Sequence, residues 1–526
     1  MLLQHARRAR RLVIIGFGPV ASRLIDELLP AVRDHRLQLL VIGAESQPAY
    51  NRIMIGELAL GSIDQELMIM SDLQELEADG VRFRLGVPVT EIDRDRRFVT
   101  LADGDQYAYD ELIFATGAAA RVPRLAGLPE CPPGQDPMLP AGVTVLRDLG
   151  DAERLATMSQ RGRELVVLGG GVLGMELALT AAEAGAVVTL VHAGRVPMER
   201  NLDPTAAAIV ARHLRRRRIR IVADARAAAV RLHEGRFAGL GLADGSQISG
   251  DGLVVCCGAA PRTGLAARSG LLVDVGIVVD HQLRTVDDAT ISAIGDCAQM
   301  RCAEDDCERC VAISAPSGLI GPGFAQAEWL AARLLADRHQ RQPVESPAVR
   351  SPASGDDAPC DGAPVMILKT PGLSVVSAGS VDLDPLDCLV GEDDRRVAQW
   401  SDPELGRYAK MITRGGTLEG LICIGLPRTA AELTLLYERG SELPSDRSSL
   451  LRHDGPDHAS GTDPLGPDAT VCRCNGVSAG AINAAIDDGH RDVTAIGRAT
   501  RAGTGCGTCK DRICELLRTR TEVVVA

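Results

Sequence analysis

The feature that most constrains this chain is a glycine-rich turn between an apolar run and the start of a helix. The run covers residues 165–168, and Gly169, Gly171 and Gly174 follow at the three positions of a G-x-G-x-x-G pattern. In a strand–turn–helix unit these glycines allow a tight turn, the approach of a pyrophosphate and close packing of helix on strand. The N–H groups at the helix N-terminus attract phosphate. The segment therefore predicts a nucleotide-binding unit, although one such pattern also occurs in turns that bind no ligand.

A second pattern of the same form lies near the N-terminus. An apolar run at 12–15 precedes Gly16, Gly18 and Ala21, with alanine at the permitted third position. Glu45 ends the next apolar run, where a carboxylate can accept hydrogen bonds from ribose hydroxyls. Two complete units predict two bound dinucleotides.

Length and composition narrow the class of protein further. A chain of 526 residues fits three or four domains of about 100–150 residues each. A net charge of −13 and an aromatic content of 2% argue against nucleic-acid binding, which relies on basic and aromatic side chains. No apolar stretch approaches the roughly 20 residues that span a bilayer, and no signal-peptide pattern precedes the first strand. We therefore expect a cytoplasmic protein with no membrane partner.

Two positions leave alternatives open at the predicted nucleotide sites. Arg52 either neutralises a phosphate or is an ordinary solvated arginine. In the second unit the apolar run 187–191 is followed by His192, with Arg195 close behind. An acid at this place favours NADH and an arginine accommodates the 2′-phosphate of NADPH, so the pattern does not choose between them.

From residue 12 to about residue 335 the chain resembles flavoproteins of the pyridine nucleotide-disulfide oxidoreductase type. The resemblance rests on the two glycine patterns, on Ala115-Thr116-Gly117 and on Gly295-Asp296, in that order. It implies that the first unit binds FAD, that the inserted second unit binds NAD(P)H, and that the chain then returns to the FAD domain. It also implies that Thr116 and Gly117 lie at the FAD site, that Asp296 bonds the ribityl chain and that Glu176 lies near the nicotinamide.

The cysteines distinguish this chain from the disulfide-reducing members of that family. None lies between Met1 and Cys131, so disulfide chemistry at the flavin is not expected. Four others follow a Cys-x4-Cys-x4-Cys-x2-Cys spacing in an acidic insertion: Cys297, Cys302, Cys307 and Cys310. They predict either an extra metal site, for zinc or a cluster, or an insertion with free thiols in which Cys297 is a core residue.

The last predicted module carries two cysteine pairs, Cys472 with Cys474 and Cys506 with Cys509. Two short predicted helices separate the pairs, and the second pair lies at the start of a last helix, whose N–H groups favour negative charge. Four thiolates suit zinc and an iron–sulfur cluster alike. The stretch 471–517 resembles the bacterioferritin-associated-ferredoxin-type 2Fe-2S domain, and this resemblance implies that the four cysteines hold a 2Fe-2S cluster.

The expected fold class is α/β, with two Rossmann-like dinucleotide-binding domains, a small α+β domain and a small helical 2Fe-2S domain. The predicted boundaries are an FAD domain at 1–145 and 263–340, an inserted NAD(P)H domain at 146–262, linkers at 341–364 and 441–470, the small α+β domain at 365–440 and the 2Fe-2S domain at 471–526.

The order of these modules resembles that in the NADH-binding part of assimilatory nitrite reductase large subunits and in the electron-transfer subunit of bacterial assimilatory nitrate reductases. It implies an oxidoreductase that passes electrons from NAD(P)H through FAD to the cluster, and on to a catalytic protein of assimilatory nitrate reductase. Two alternatives remain. One is an NADH-oxidising subunit for nitrite reductase or another ferredoxin-linked enzyme, and the other is a redox-responsive binding protein whose cluster docks a partner.

Overall fold

The first segment of the chain builds one half of a large sheet. The computed structural model describes residues 9–301, 307, 316, 318–336, 357–358, 365–370, 372–385, 394–444, 446–452, 454, 467, 469–472, 475, 477–504 and 509–523. The first elements are β1 (Arg10–Ile15), α1 (Pro19–Arg33), β2 (Leu37–Gly43), α2 (Ile55–Ala59), α3 (Leu73–Ala78), β3 (Arg82–Leu85), β4 (Val89–Asp93), β5 (Phe98–Leu101), β6 (Gln106–Ala108), β7 (Glu111–Phe114) and β8 (Ala118–Ala120). β1 lies between β2 and β7 and runs parallel to both.

The second segment forms a parallel sheet of its own. Its elements are β9 (Val143–Thr144), α4 (Leu149–Met158), β10 (Glu164–Leu168), α5 (Val172–Glu183), β11 (Val187–Val191), α6 (Pro204–Arg216), β12 (Arg220–Val222), β13 (Ala227–His233), β14 (Arg236–Leu242), β15 (Gln247–Ser249) and β16 (Gly252–Val255). The parallel strands follow the order β12-β11-β10-β16-β9, and β13, β14 and β15 form a separate antiparallel sheet. We call this segment the second unit.

The chain then returns to the first sheet. The returning elements are β17 (Ala259–Pro261), α7 (Gly264–Arg268), β18 (Ile277–Val279), β19 (Arg284–Thr285), β20 (Asp288–Ala293), β21 (Ala298–Met300) and α8 (Ile320–Leu335). They complete an eight-stranded sheet in the order β21-β18-β19-β20-β7-β1-β2-β3, and α8 packs against α1. We call this sheet with its helices the first unit. The insertion of one doubly wound unit into another confirms the predicted fold class.

One predicted strand is two strands in the structure. The apolar stretch 252–261 predicts a single buried strand, but β16 ends at Val255 and β17 pairs with β8 of the first unit. Gly258 has φ of +96°, a conformation that favours glycine, and it turns the chain between the two strands. The stretch therefore carries the chain from the second unit back to the first.

The small domain is an antiparallel sheet with one helix. Its elements are β22 (Met366–Thr370), β23 (Leu373–Gly379), β24 (Arg396–Asp402), β25 (Arg407–Arg414), β26 (Thr417–Ile424) and α9 (Pro427–Arg439), and its strand order is β22-β23-β26-β25-β24. One face of the sheet, with Leu368, Val375 and Ile422, shares a core with the second unit. The other face packs against α9, so the sheet is covered on both sides.

The last described domain, which we call the cluster domain, contains β27 (Thr470–Cys472), β28 (Val477–Ser478), α10 (Ala479–Asp487), α11 (Val493–Thr500) and α12 (Lys510–Val523). The Ser478 hydroxyl accepts a hydrogen bond from Ala481 N at 3.3 Å and caps α10, and Gly489, at φ +100°, follows the end of that helix. Ile482, Ile496 and Ile513 form its core. Among the helices that the structure describes, none combines the length and apolarity needed to cross a bilayer.

A buried ion pair joins the small domain to the second unit. Lys410 of β25 donates to Asp203 Oδ2 at 2.9 Å and to the Val381 carbonyl at 2.8 Å, and both charged side chains are less than one tenth exposed. Tyr408 donates to the same carboxylate oxygen at 2.5 Å. Asp203 Oδ1 accepts from Ala206 N at 2.9 Å, so this one carboxylate also caps α6.

We expect Lys410→Met to lower the free energy of unfolding by about 3–5 kcal/mol, because it leaves the buried Asp203 carboxylate without its cation. Denaturant titration would measure the loss. The matched control is Arg414→Gln, which breaks the exposed Arg414–Glu419 pair of the same sheet and should cost at most about 1 kcal/mol. Equal losses in the two variants would contradict a special role for the buried pair.

Candidate functional site

The first glycine-rich turn lies directly against a neighbouring strand end. Gly16 has φ of +104°, and a Cβ on it would lie 2.3 Å from the Ala115 carbonyl oxygen, so only glycine fits. Gly18 is the N-cap of α1, and as a glycine it has no side chain that could occupy the N–H groups of the first helical turn. Ala21 is fully buried where α1 packs on the sheet. The N–H groups at the start of α1 are thus left open to an anion.

The second turn repeats this geometry more tightly. A Cβ on Gly169, at φ +121°, would lie 2.2 Å from the Cys256 carbonyl oxygen, and a Cβ on Gly174 would lie 1.9 Å from the Gly169 carbonyl oxygen. Gly171 is the N-cap of α5, and a Cβ on it would meet no atom within 4 Å. The sequence pattern predicts three different roles for these glycines, and the space around each agrees with its role: turn, packing and open approach.

Glu45 follows β2 and is held by two side chains. Its carboxylate accepts hydrogen bonds from the Tyr50 hydroxyl at 2.6 Å and from Arg52. The Arg52 guanidinium lies 4.7 Å from the centre of the Tyr50 ring and donates to the Arg147 carbonyl at 3.0 Å. Burial raises the pKa of Tyr50, so its hydroxyl remains a donor. Arg52 therefore orients Glu45 in this structure, which neither of its two sequence-based interpretations included.

Arg147 is a residue of this site that sequence reasoning missed. Its Nη2 donates to the Ala118 carbonyl at 3.1 Å and lies 3.4 Å from Asp296 Oδ2, while its buried Nε has no partner among the described residues. Thr116 and Gly117 lie at the same place, where Arg262 N donates to the Gly117 carbonyl at 3.0 Å. Arg147 stands just before α4, outside both glycine patterns, so no motif marked it.

Most of the residues predicted in the first unit, and Glu176 of the second, line one cavity of about 2000 Å³, whereas Ala21 and the three glycines of the second turn are not part of its lining. Gly16, Gly18, Glu45, Arg52 and Asp296 line it from the first unit, and Glu176 lines it from α5 of the second. Small-molecule pockets measure about 300–1,000 Å³, so this cavity is large enough for more than one such ligand. Ala21 and Gly174, the third positions of the two patterns, are buried, and the helix that follows each turn has a free N-terminus for a phosphate. Together with the volume of the cavity, this arrangement fits two extended dinucleotides.

His192, at the end of β11, does not face that cavity. It is 8% exposed, its Nε2 has no partner among the described residues, and its ring lies against Gly170 of the second turn. The side chain therefore supports the turn from behind. Arg195 is exposed, and its backbone N donates to the Glu199 carboxylate at 3.2 Å, which places a further acid beside the strand end.

Two of the four predicted cluster ligands are described, and both lie in the core of the cluster domain. Cys472 is fully buried and Cys509, just before α12, is 5% exposed. Asn475 donates from Nδ2 to Cys472 Sγ at 3.7 Å. Cys474 and Cys506 lie outside the described residues. Buried thiols with an amide donor to one sulfur fit a cluster held by thiolates.

The four-cysteine insertion is described only in part, since Cys302 and Cys310 lie outside the described residues. Cys297 is fully buried, and its thiol donates to the Ile294 and Phe114 carbonyls at 3.3 and 3.6 Å. Burial raises the pKa of this thiol, so it stays protonated. This placement favours the core role for Cys297 over a ligand role. The Cys307 side chain contacts His281, with its Sγ 3.7 Å from the His281 Nε2.

Comparison with known families matches two parts of the chain. Residues 10–312 match the family model described as pyridine nucleotide-disulphide oxidoreductase, which covers more than half of the chain. Residues 470–519 match the model described as BFD-like 2Fe-2S binding domain. The second range includes the four cysteines at 472, 474, 506 and 509 and agrees with the resemblance found in the sequence.

Individual relatives match over almost the whole chain. Nitrite reductase (NAD(P)H) of Bacillus subtilis is 28% identical over 97% of this chain and 57% of its own length. The assimilatory nitrate reductase electron transfer subunit of the same organism is 26% identical over 98% of this chain and 60% of its own length. The chain thus spans less than two thirds of either. A ferredoxin reductase structure from Rhodopseudomonas palustris has a TM-score of 0.65 at 23% identity, covering 84% of this chain and 99% of its own, and supports the fold.

The open space at Gly171 leads to a prediction about the second unit. Gly171→Ala should leave the thermal midpoint unchanged, because the added methyl meets no protein atom, and should weaken NAD(P)H binding about tenfold by obstructing the backbone approach. Gly169→Ala is the contrasting variant and should lower the thermal midpoint, because its methyl meets the Cys256 carbonyl. Cofactor titration and thermal melting of both proteins would test this. Unchanged binding by Gly171→Ala would be evidence against a phosphate at this turn.

Proposed function

Because the chain belongs to the pyridine nucleotide-disulphide oxidoreductase family, we propose that it passes electrons from NAD(P)H through FAD to a C-terminal 2Fe-2S cluster and on to a partner reductase. Membership of the family makes it a FAD-dependent NAD(P)H oxidoreductase, and the C-terminal match adds a 2Fe-2S domain. The observation that carries the proposed route is the common cavity, which Gly18 of the first unit, Glu176 of the second and Asn475 of the cluster domain all line.

The nicotinamide, the flavin and the cluster differ in how many electrons each transfers in one step, and the order proposed here fits those numbers. A nicotinamide gives up two electrons as a hydride and a 2Fe-2S cluster takes one, so bound FAD supplies the conversion between the two. The chain itself binds and orients these groups and excludes competing chemistry. No cysteine is among the described residues that line the cavity, and the buried thiol of Cys297 donates to carbonyls instead. This supports the proposal that electrons pass from the flavin to the cluster domain and not to a disulfide.

The FAD-binding residues that we propose divide into those that admit the phosphates and those that hold the sugars. Gly16, Gly18 and Ala21 bring the pyrophosphate to the N-terminus of α1. Glu45, oriented by Arg52, accepts from the ribose hydroxyls, as the acid of such units does.

At the opposite end of the proposed FAD site, Asp296 accepts from the ribityl chain, and Thr116 and Gly117 line the site beside it. Arg147 adds a cation at this end. Its guanidinium lies 3.4 Å from Asp296, and its backbone carbonyl accepts a hydrogen bond from Arg52.

In the second unit, Gly169, Gly171 and Gly174 admit the pyrophosphate of NAD(P)H, and Glu176 on α5 lies on the cavity side, near the nicotinamide. In the cluster domain, Cys472, Cys474, Cys506 and Cys509 hold the 2Fe-2S cluster. The predicted division into an FAD domain, an inserted NAD(P)H domain, a small domain and a cluster domain is part of the same proposal.

Arg147 offers a test of the FAD site. Arg147→Gln removes a cation that lines the cavity and the ion pair with Asp296, and should weaken FAD binding about tenfold, since a hydrogen bond to a charged group contributes about 1.5–3 kcal/mol. The ratio of flavin to protein after dilution measures the effect. Arg154→Gln removes the nearby Arg154–Asp151 pair outside this cavity and should retain FAD. Equal retention by both variants would exclude Arg147 from the site.

The acceptor that we propose is a catalytic nitrate reductase protein. The relatives that match along almost the whole chain are named as a nitrite reductase and as an electron transfer subunit of nitrate reductase. The chain covers 60% of a relative whose name is that of an electron transfer subunit of assimilatory nitrate reductase, and this supports a nitrate reductase protein as acceptor. A nitrite reductase protein is the alternative acceptor, and each is offered separately in the test below.

Stopped-flow oxidation of NADH by the holoprotein tests the route. Flavin bleaching should be followed by cluster bleaching within one turnover, and then by reduction of the nitrate reductase protein when that is added, whereas reduction of a nitrite reductase protein added in its place would favour the alternative acceptor. Cys509→Ser should abolish acceptor reduction and spare flavin reduction, whereas Cys514→Ser, on the helix that follows Cys509 but outside the ligand set, should spare both. A cluster that stays oxidised throughout turnover would support a redox-responsive binding protein instead.

A further inference from the structure

The cluster domain contacts the first unit through opposite charges. Arg501, which follows α11, forms an ion pair with Glu27 of α1, and the two side chains are 36% and 32% exposed. Two further acids of the first unit, Asp26 of α1 and Glu57 of α2, are exposed and interact favourably with the charges of Arg501 and Lys510, respectively. The cluster domain and the first unit are therefore complementary in charge where they meet.

The backbone of Arg501 indicates that its side chain matters. It has φ of +65°, the left-handed conformation that ends many helices and that glycine adopts at the least cost. An arginine here carries a steric penalty that glycine would avoid. The contact of its guanidinium with Glu27, on a helix 474 residues away in the chain, gives the arginine a reason to be there.

Asn475 connects Arg501 to the cluster ligands. Its Nδ2 donates to the Arg501 carbonyl at 2.6 Å, and two further acceptors, Thr504 Oγ1 at 3.2 Å and Cys472 Sγ at 3.7 Å, share its second hydrogen. A carbonyl only accepts, so the bond to Arg501 fixes which end of the amide is nitrogen. The Oδ1 of Asn475 has no partner among the described residues, and Asn475 lines the cavity that the two dinucleotide units share.

We propose that Arg501 and Asn475 act together as positioning residues for electron transfer: Arg501 anchors the cluster domain on α1 through Glu27, and Asn475, held by the Arg501 carbonyl, gives Cys472 a hydrogen bond on the side that faces the flavin cavity. This inference rests on the proposed function. Docking then sets the distance between flavin and cluster. The same docking fixes the amide that tunes the cluster.

The effect on the cluster follows from charge. An N–H donor to a ligand sulfur stabilises the additional negative charge of the reduced cluster, so it raises the reduction potential. A cluster with a higher potential accepts an electron from the reduced flavin more readily. Because Asn475 is oriented by the backbone of Arg501, a change in docking at Glu27 is expected to reach Cys472 through one residue.

A charge swap tests the anchor in the holoprotein. Glu27 also pairs with Arg23 of its own helix at 3.6 Å, so Glu27→Arg brings three cations together. It should slow cluster reduction by NADH about fivefold, with flavin reduction unchanged, since one exposed ion pair accounts for a factor of about two to five and repulsion adds to its loss. The double variant Glu27→Arg with Arg501→Glu restores opposite charges and should recover most of the rate. Arg520→Gln, which breaks the exposed Arg520–Asp487 pair inside the cluster domain, is the matched control and should have no effect.

A redox titration of the cluster, followed by electron paramagnetic resonance, tests the proposed role of Asn475. Asn475→Ala should shift the cluster potential to a more negative value, whereas Thr504→Val, which removes another partner of the same amide but leaves the sulfur contact, should not. The iron content of each variant confirms that the cluster is assembled.

The outcomes separate this inference from the proposed function. If the wild-type protein reduces its cluster with NADH but the charge swap fails to restore the rate, or Asn475→Ala leaves the potential unchanged, the positioning role is wrong and the proposed function stands. If the wild-type cluster is not reduced by NADH while dithionite reduces it, the proposed function fails and this inference fails with it.

Discussion

The close contact of two glycine turns with two carbonyl oxygens determines the layout of this protein. Gly16 lies against the Ala115 carbonyl and Gly169 against the Cys256 carbonyl, at distances that leave no room for a side chain. Each contact joins the end of a central strand, β1 or β10, to the residues that follow a neighbouring strand, and the helix α1 or α5 begins directly after the turn. The first residues of both helices line the same cavity. The other parts of the chain are arranged around that cavity.

The small domain connects these parts rather than adding chemistry of its own. The Asp203 carboxylate caps α6 of the second unit and also receives the charge of Lys410, so a helix end and a strand of another domain are fixed by one group. Burying such a pair is costly, and only full hydrogen bonding makes it tolerable. The result is a rigid contact that brings Ile367 and Tyr437 of the small domain to the wall of the cavity. The small domain thus contributes to the wall of the cavity that the two units line.

The sequence predicts the local features of this structure well and its long-range contacts poorly. Apolar runs before the glycine patterns are strands β1 and β10, and Ser478 and Gly489 stand at the ends of α10 as their residue types indicate. Arg147 and Lys410 could not be found in this way, because the partners of their side chains lie far away in the chain and their own surroundings contain no pattern. The division of residues 252–261 between two sheets was missed for a related reason. Apolar character indicates burial, but it does not say in which sheet.

A weak contact is sufficient to hold the cluster domain because that domain belongs to the same chain. An exposed arginine–carboxylate pair such as Arg501–Glu27 contributes about 0.2–1 kcal/mol, far too little to bind a separate protein. When two groups belong to one chain, their encounter is intramolecular and is governed by an effective concentration instead of by the concentration of a free partner. Under those conditions a few complementary charges decide which face of the cluster domain meets the first unit. Under the proposed function, in which this domain passes electrons to a partner protein, a weak contact also leaves its other faces available to that partner.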